Sequence, residues 1–87
     1  MSEPTLAELR NQIDEINLSL AKLLEQRFDI LDEVSMIKEE QSLDLYDQSR
    51  TEKMNMALKK AFGQSAQFES INKTMNEIFK ISVEHMK

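Results

Sequence analysis

The stretch from Leu6 to Lys38, LAELRNQIDEINLSLAKLLEQRFDILDEVSMIK, decides the fold. Apolar residues fall at Leu6, Leu9, Ile13, Ile16, Leu20, Leu23, Ile30, Val34 and Ile37, in strictly alternating steps of three and four. That spacing is the heptad seam of a long amphipathic helix. The one seam position that is not apolar, between Leu23 and Ile30, holds Arg27. Beside the seam, in the row that also carries Asn17, Leu24 and Leu31, lie Arg10 at one end and Lys38 at the other. Cations placed where hydrocarbon is expected cost several kcal/mol in desolvation unless an anion meets them. Either carboxylates of the protein or a ligand must supply that anion.

Thr5 followed by Glu8 reads as a capping box, so the spacing predicts a first helix from there to about Glu40. At 1.5 Å per residue it is a rod of roughly 50 Å. Gln41 to Tyr46 (QSLDLY) loses the period and reads as a connection. A second helix is expected from about Asp47 to Phe62, with Met54, Ala57, Leu58, Ala61 and Phe62 inward and Gly63 as its C-terminal cap. A third runs from after Ser65 to about His85, with Phe68, Ile71, Met75, Ile78, Phe79 and Val83 inward. The predicted fold class is therefore all-α, with one long helix and two shorter ones forming a single domain over residues 1–87. Two short helices cannot cover so long a seam, and a second copy can. A homodimer with the long helices side by side is the expected assembly.

Composition narrows the function. The 87 residues carry a net charge of −5 and contain no basic tract, so nucleic acid and anionic membrane surfaces are not expected partners. Absence of Cys removes disulfides, thiolate chemistry and zinc-thiolate sites. No signal-peptide pattern or membrane-length apolar run is visible, so a cytoplasmic protein is expected. The six Met read as adaptable core filling. His85 has no partner at ligand spacing and is given no role, and Glu39, Glu40 and Asp44 read as a solvated connection; no metal or cofactor is expected.

Arg27 and Lys38 are eleven residues apart, three helical turns plus about 20°, and so share a face roughly 16 Å long. Arg10 lies seventeen residues before Arg27, about 25 Å along the rod, and reaches the same small ligand only from a second chain. On the second helix Asp47, Arg50, Thr51 and Met54 make one mixed face. On the third, Ser82 interrupts an apolar row that Met86 continues.

LRNQIDEIN at Leu9 to Asn17, LLEQRFDIL at Leu23 to Leu31, EVSMIK ending at Lys38 and LYDQSR ending at Arg50 resemble the all-helical chorismate mutases, over most of the chain. The resemblance implies an intertwined homodimer of three-helix chains that converts dianionic chorismate to prephenate, each active site taking one arginine from the opposite chain. It implies that Arg10 is the donated arginine, that Arg27 and Arg50 hold substrate carboxylates, that Lys38 sits at the ether oxygen and Asp47 near the ring hydroxyl. Ser82 matches a serine that assists at a carboxylate, and Val34, Thr51 and Met86 are further candidate pocket residues. Two positions depart from the family pattern. Thr51 stands where Glu is usual, and Met86 where Gln or Glu is usual; Met86 cannot donate a hydrogen bond.

The rearrangement is unimolecular and pericyclic, and it needs no nucleophile, general base, metal or cofactor. Its catalyst must hold a flexible dianion as a compact chair and stabilise charge growing on the ether oxygen. Arginines clamp carboxylates in planar bidentate geometry, and lysine supplies a point charge. Two other readings stay open at this point. One is a weak or noncatalytic dimer module of the same fold, and the other is lyase chemistry on isochorismate in a similar cationic pocket.

Overall fold

The computed structural model describes residues 3–87 and contains three helices, α1 (Leu6–Glu40), α2 (Gln48–Phe62) and α3 (Phe68–Met86). No strand occurs among the described residues, so the all-α architecture of one long and two shorter helices is as expected. Each boundary has a local cause. At the start of α1 the Glu8 amide donates to Thr5 Oγ1 at 3.1 Å and the Thr5 amide donates to Glu8 Oε2 at 3.3 Å. This is the reciprocal capping box, which satisfies two donors that the first turn leaves unpaired.

The end of α1 is built without Gly or Pro. The Leu43 amide donates to the Lys38 carbonyl at 2.8 Å and the Ser42 amide to the Glu39 carbonyl at 3.2 Å, while Ser42 adopts φ 56°. These are the two bonds and the left-handed residue of a Schellman motif, a position that Gly usually takes. Asp47 then caps α2, its Oδ1 accepting from the Arg50 amide at 3.1 Å. At the other end Gly63 is the cap expected, but its backbone is right-handed (φ −57°, ψ −24°) and its amide donates to the Lys59 carbonyl at 2.8 Å. Glycine is needed here for close approach, since a Cβ would collide with that same carbonyl oxygen. Ser65 closes the short link to α3, its hydroxyl donating to Gln67 Oε1 at 2.9 Å and accepting from the Gln67 amide at 3.1 Å.

The chain divides into two compact units, one ending at Ile30 and one beginning at Leu31. The described part of the first, residues 3–30, is the entry to α1 and its first 25 residues. Its seam is open in the single chain, from 42% exposed at Leu9 to 62% at Leu6, with Ile13, Ile16, Leu20, Leu23 and Ile30 between. The second unit comprises the end of α1 together with α2 and α3. There α2 packs on α3, and Asn76 Nδ2 crosses between them to Asn55 Oδ1 at 2.9 Å.

The centre of this second unit is small: Leu58 and Ser82 are the buried residues of the described chain. The α3 face behaves as its spacing predicts, with Phe68, Ile71, Met75, Ile78, Phe79 and Val83 all partly covered. The α2 face needs correction. Ala57, Ala61 and Phe62, expected inward, are exposed, and the covered stripe is Thr51, Met54, Asn55 and Leu58. That stripe follows the i, i+3, i+4, i+7 rule, whereas Ala57 and Ala61 sit one position to its side. A helix that meets one neighbour buries a narrow stripe, and the wide apolar face read from the sequence is only partly used.

Candidate active site

Of the residues singled out from the sequence, Arg10 and Arg27 belong to the first unit. Val34, Lys38, Asp47, Arg50, Thr51, Ser82 and Met86 belong to the second. Arg10 is exposed, and Arg27 is partly covered and engaged in an interaction of its own. The sequence places Arg27 on the seam, but its seam neighbours Leu23 and Ile30 are exposed, and the partly covered residues around it are Leu24, Phe28 and Leu31, beside the seam.

In the second unit the connection between α1 and α2 is held by the polar residues expected to act on substrate. Lys38 Nζ donates to the Leu45 carbonyl at 3.0 Å. An ammonium group has three protons, so this bond leaves two for another acceptor. Two residues further on, Asp47 spends one carboxylate oxygen on the Arg50 amide and so fixes the turn from which the Arg50 guanidinium projects. The N-terminal turn of α2 also carries the partial positive charge of the helix dipole, which favours an anion nearby. Thr51, on the same turn, donates its hydroxyl to the Asp47 carbonyl at 3.3 Å.

On α3 the Ser82 hydroxyl donates to the Ile78 carbonyl at 2.7 Å and is almost fully enclosed, at 4% exposure. A hydroxyl that assists a carboxylate must donate to it, so Ser82 would have to rotate from the helix backbone to do so. Met86 is partly covered, and its carbonyl accepts from Ser35 Oγ at 3.2 Å. The preceding residue, His85, given no role from the sequence because no partner stands at ligand spacing, bonds through Nε2 to Asp32 Oδ1 at 2.8 Å. An ionised carboxylate only accepts, so Nε2 carries the proton.

The second unit also has an open cleft of ≈ 490 Å³, walled by Tyr46, Thr51, Asn76, Phe79, Lys80, Val83, Glu84 and Lys87. Thr51 is the one candidate site residue in its wall. Tyr46, Asn76, Lys80 and Lys87 were not picked out from the sequence, although Asn76, Lys80, Val83 and Lys87 recur in steps of four, three and four along one face of α3. That spacing was a usable signal. The Asp32–His85 pair had none, because 53 residues separate its members. Among the described residues no cluster of His, Asp or Glu could hold a metal ion, and no helix is long and apolar enough to cross a membrane.

The described residues thus form an all-helical chain of one long helix and two shorter ones. The family model described as chorismate mutase type II matches residues 9–87, and the chain belongs to that family. The match contains every candidate site residue from Arg10 to Met86. No curated protein matches the chain.

Proposed function

We propose that the chain is a chorismate mutase, working as an intertwined homodimer in the cytoplasm, in which residues 1–87 act as one domain. The observation that carries this reading is that the family match encloses Arg10, Arg27, Lys38, Asp47 and Arg50 together. A scaffold alone has no reason to place so many ionic groups along one seam and its neighbouring turn. In the reaction the ether C–O bond of chorismate breaks as a C–C bond forms, with no proton or electron leaving the molecule. Arg27 and Arg50 hold the carboxylates, Arg10 of the second chain completes the clamp, and Lys38 stabilises charge on the ether oxygen. Asp47, already ordered by its cap, accepts from the ring hydroxyl. The open seam of residues 6–30 supports the dimer, because burying apolar area recovers about 25 cal/mol per Å².

The experiment is to follow loss of chorismate and formation of prephenate with purified protein, beside Arg27→Ala. Conversion that disappears in Arg27→Ala supports the mutase; a rate no greater than the uncatalysed one overturns it. A second reading is favoured by Thr51 and Met86, whose side chains do not supply the carboxylate and the hydrogen-bond donor usual in the family. Under it the chain is a weak or inactive dimer module, or cleaves isochorismate to release pyruvate. Offering isochorismate in the same assay separates these outcomes.

A further inference from the structure

Two consecutive residues near the end of α3 are fastened to two neighbouring positions of α1. His85 Nε2 donates to Asp32 Oδ1 at 2.8 Å, and Ser35 Oγ donates to the Met86 carbonyl at 3.2 Å. Asp32 and Ser35 are one turn apart on one helix face, so the two bonds act on the same strip of α1. They are also of different kinds. One joins side chain to side chain, and the other satisfies a carbonyl in the last turn of α3, where four carbonyls lack partners within the helix. A rotation or slip of α3 by one residue would break both at once.

We propose that Asp32, Ser35 and His85 form a register clamp, a set of positioning residues that fixes the last turn of α3 against the part of α1 that carries Val34 and Lys38. The inference rests on the mutase reading for its catalytic consequence. The strip Asp32–Ser35 lies within two turns of Lys38, and the clamped turn of α3 begins at Ser82, so the clamp sets how far the ammonium group stands from the α3 wall. Packing alone specifies this poorly. Only Leu58 and Ser82 are buried in the described chain, and Met86, whose backbone carbonyl the clamp holds, has a side chain that is only partly covered. Directional polar bonds therefore take over a task that a larger core would perform. The Asp32–His85 bond is exposed enough to be weak singly, with the Asp32 side chain 64% and the His85 side chain 35% accessible, and the Ser35–Met86 bond is part-buried. Their value lies in fixing a geometry, and geometry enters the rate more steeply than it enters stability.

The test compares Asp32→Leu, Asp32→Asn and the Asp32→Leu/Ser35→Ala double variant, none of which removes a group assigned to substrate. Melting temperature is recorded to exclude unfolded protein. The clamp predicts that the double variant loses about tenfold in kcat with KM changed less than about twofold. Asn at position 32 still accepts from His85 Nε2 and keeps most of the rate. Unchanged kcat in the folded double variant, or equal loss in Asp32→Asn and Asp32→Leu, overturns the proposal. If the wild-type protein has no mutase activity, that reading fails separately. The clamp is then judged by hydrogen exchange of the Val83–Met86 amides, which must quicken at least about tenfold in Asp32→Leu/Ser35→Ala, and unaltered protection overturns it.

Discussion

The Lys38 ammonium group reaches forward seven residues to the Leu45 carbonyl, at 3.0 Å, while the Lys38 carbonyl receives the Leu43 amide at 2.8 Å. The residue assigned to the ether oxygen thus also closes the connection from α1 to α2. Replacing it removes two things of different size. Lys38→Ala should lower stability by about 1 kcal/mol, the usual net worth of one such hydrogen bond. It should lower the mutase rate by about two to three orders of magnitude, the usual cost of losing a preorganised donor. Urea unfolding and chorismate turnover measure the two effects, and a destabilised variant with full activity would remove Lys38 from the chemistry.

Ser42 and Gly63 invite opposite substitutions. Ser42 holds a left-handed backbone that costs an L-residue about 1–2 kcal/mol, part of which Gly returns as unfolded-state entropy. Ser42→Gly is expected to stabilise the chain by about 0.5 kcal/mol or more. Gly63→Ala adds a Cβ against the Lys59 carbonyl and is expected to destabilise by about 1–3 kcal/mol, even though its φ suits any residue. Denaturation midpoints of both variants decide the signs. A stabilising Gly63→Ala would mean that the cap relaxes freely.

A site shared between chains makes a prediction that no single-chain site makes. Arg10→Ala and Arg27→Ala proteins should each be inactive, and unfolding and refolding an equal mixture should restore about one quarter of wild-type activity. Half of the dimers formed are mixed, and each mixed dimer has one intact site. If the mixture stays inactive while mass measurement shows mixed dimers, Arg10 and Arg27 act in the same chain; an active Arg10→Ala protein would show that Arg10 does not act at all.

Met86 lacks the donor that family members usually place there. Met86→Gln is expected to raise kcat/KM by about tenfold or more, short of the roughly two to three orders of magnitude that a fully preorganised donor supplies, because the surroundings of Met86 are not built around an amide. The fold should not resist the change, since Met86 contributes its carbonyl to Ser35 and that atom survives the substitution. No gain in rate would show that Met86 lies off the substrate.

Much of the architecture was legible because its causes act over a few residues. The heptad steps from Leu6 to Ile37 and the Thr5–Glu8 box are patterns within one or two turns, and the long helix and its cap appear where the spacing put them. The resemblance was equally local in origin, carried by short strings around Arg10, Arg27, Lys38 and Arg50, and the family match covers them. The stop of α1 was less legible, because Ser42 takes a conformation that its residue type disfavours and that the bonds from the Ser42 and Leu43 amides back to the Glu39 and Lys38 carbonyls impose.

What the letters could not contain is how the helices of the second unit are turned toward each other. The rotation of α2 that covers Asn55 and leaves Ala57 and Ala61 open follows from the Asn76–Asn55 bond and from having α3 on one side. The pairing of His85 with Asp32 and of Ser35 with Met86 joins residues more than 50 positions apart. Periodicity says which face of a helix is apolar, to within about one residue in four; it is silent on the partner's azimuth, which packing and a few directional hydrogen bonds choose together.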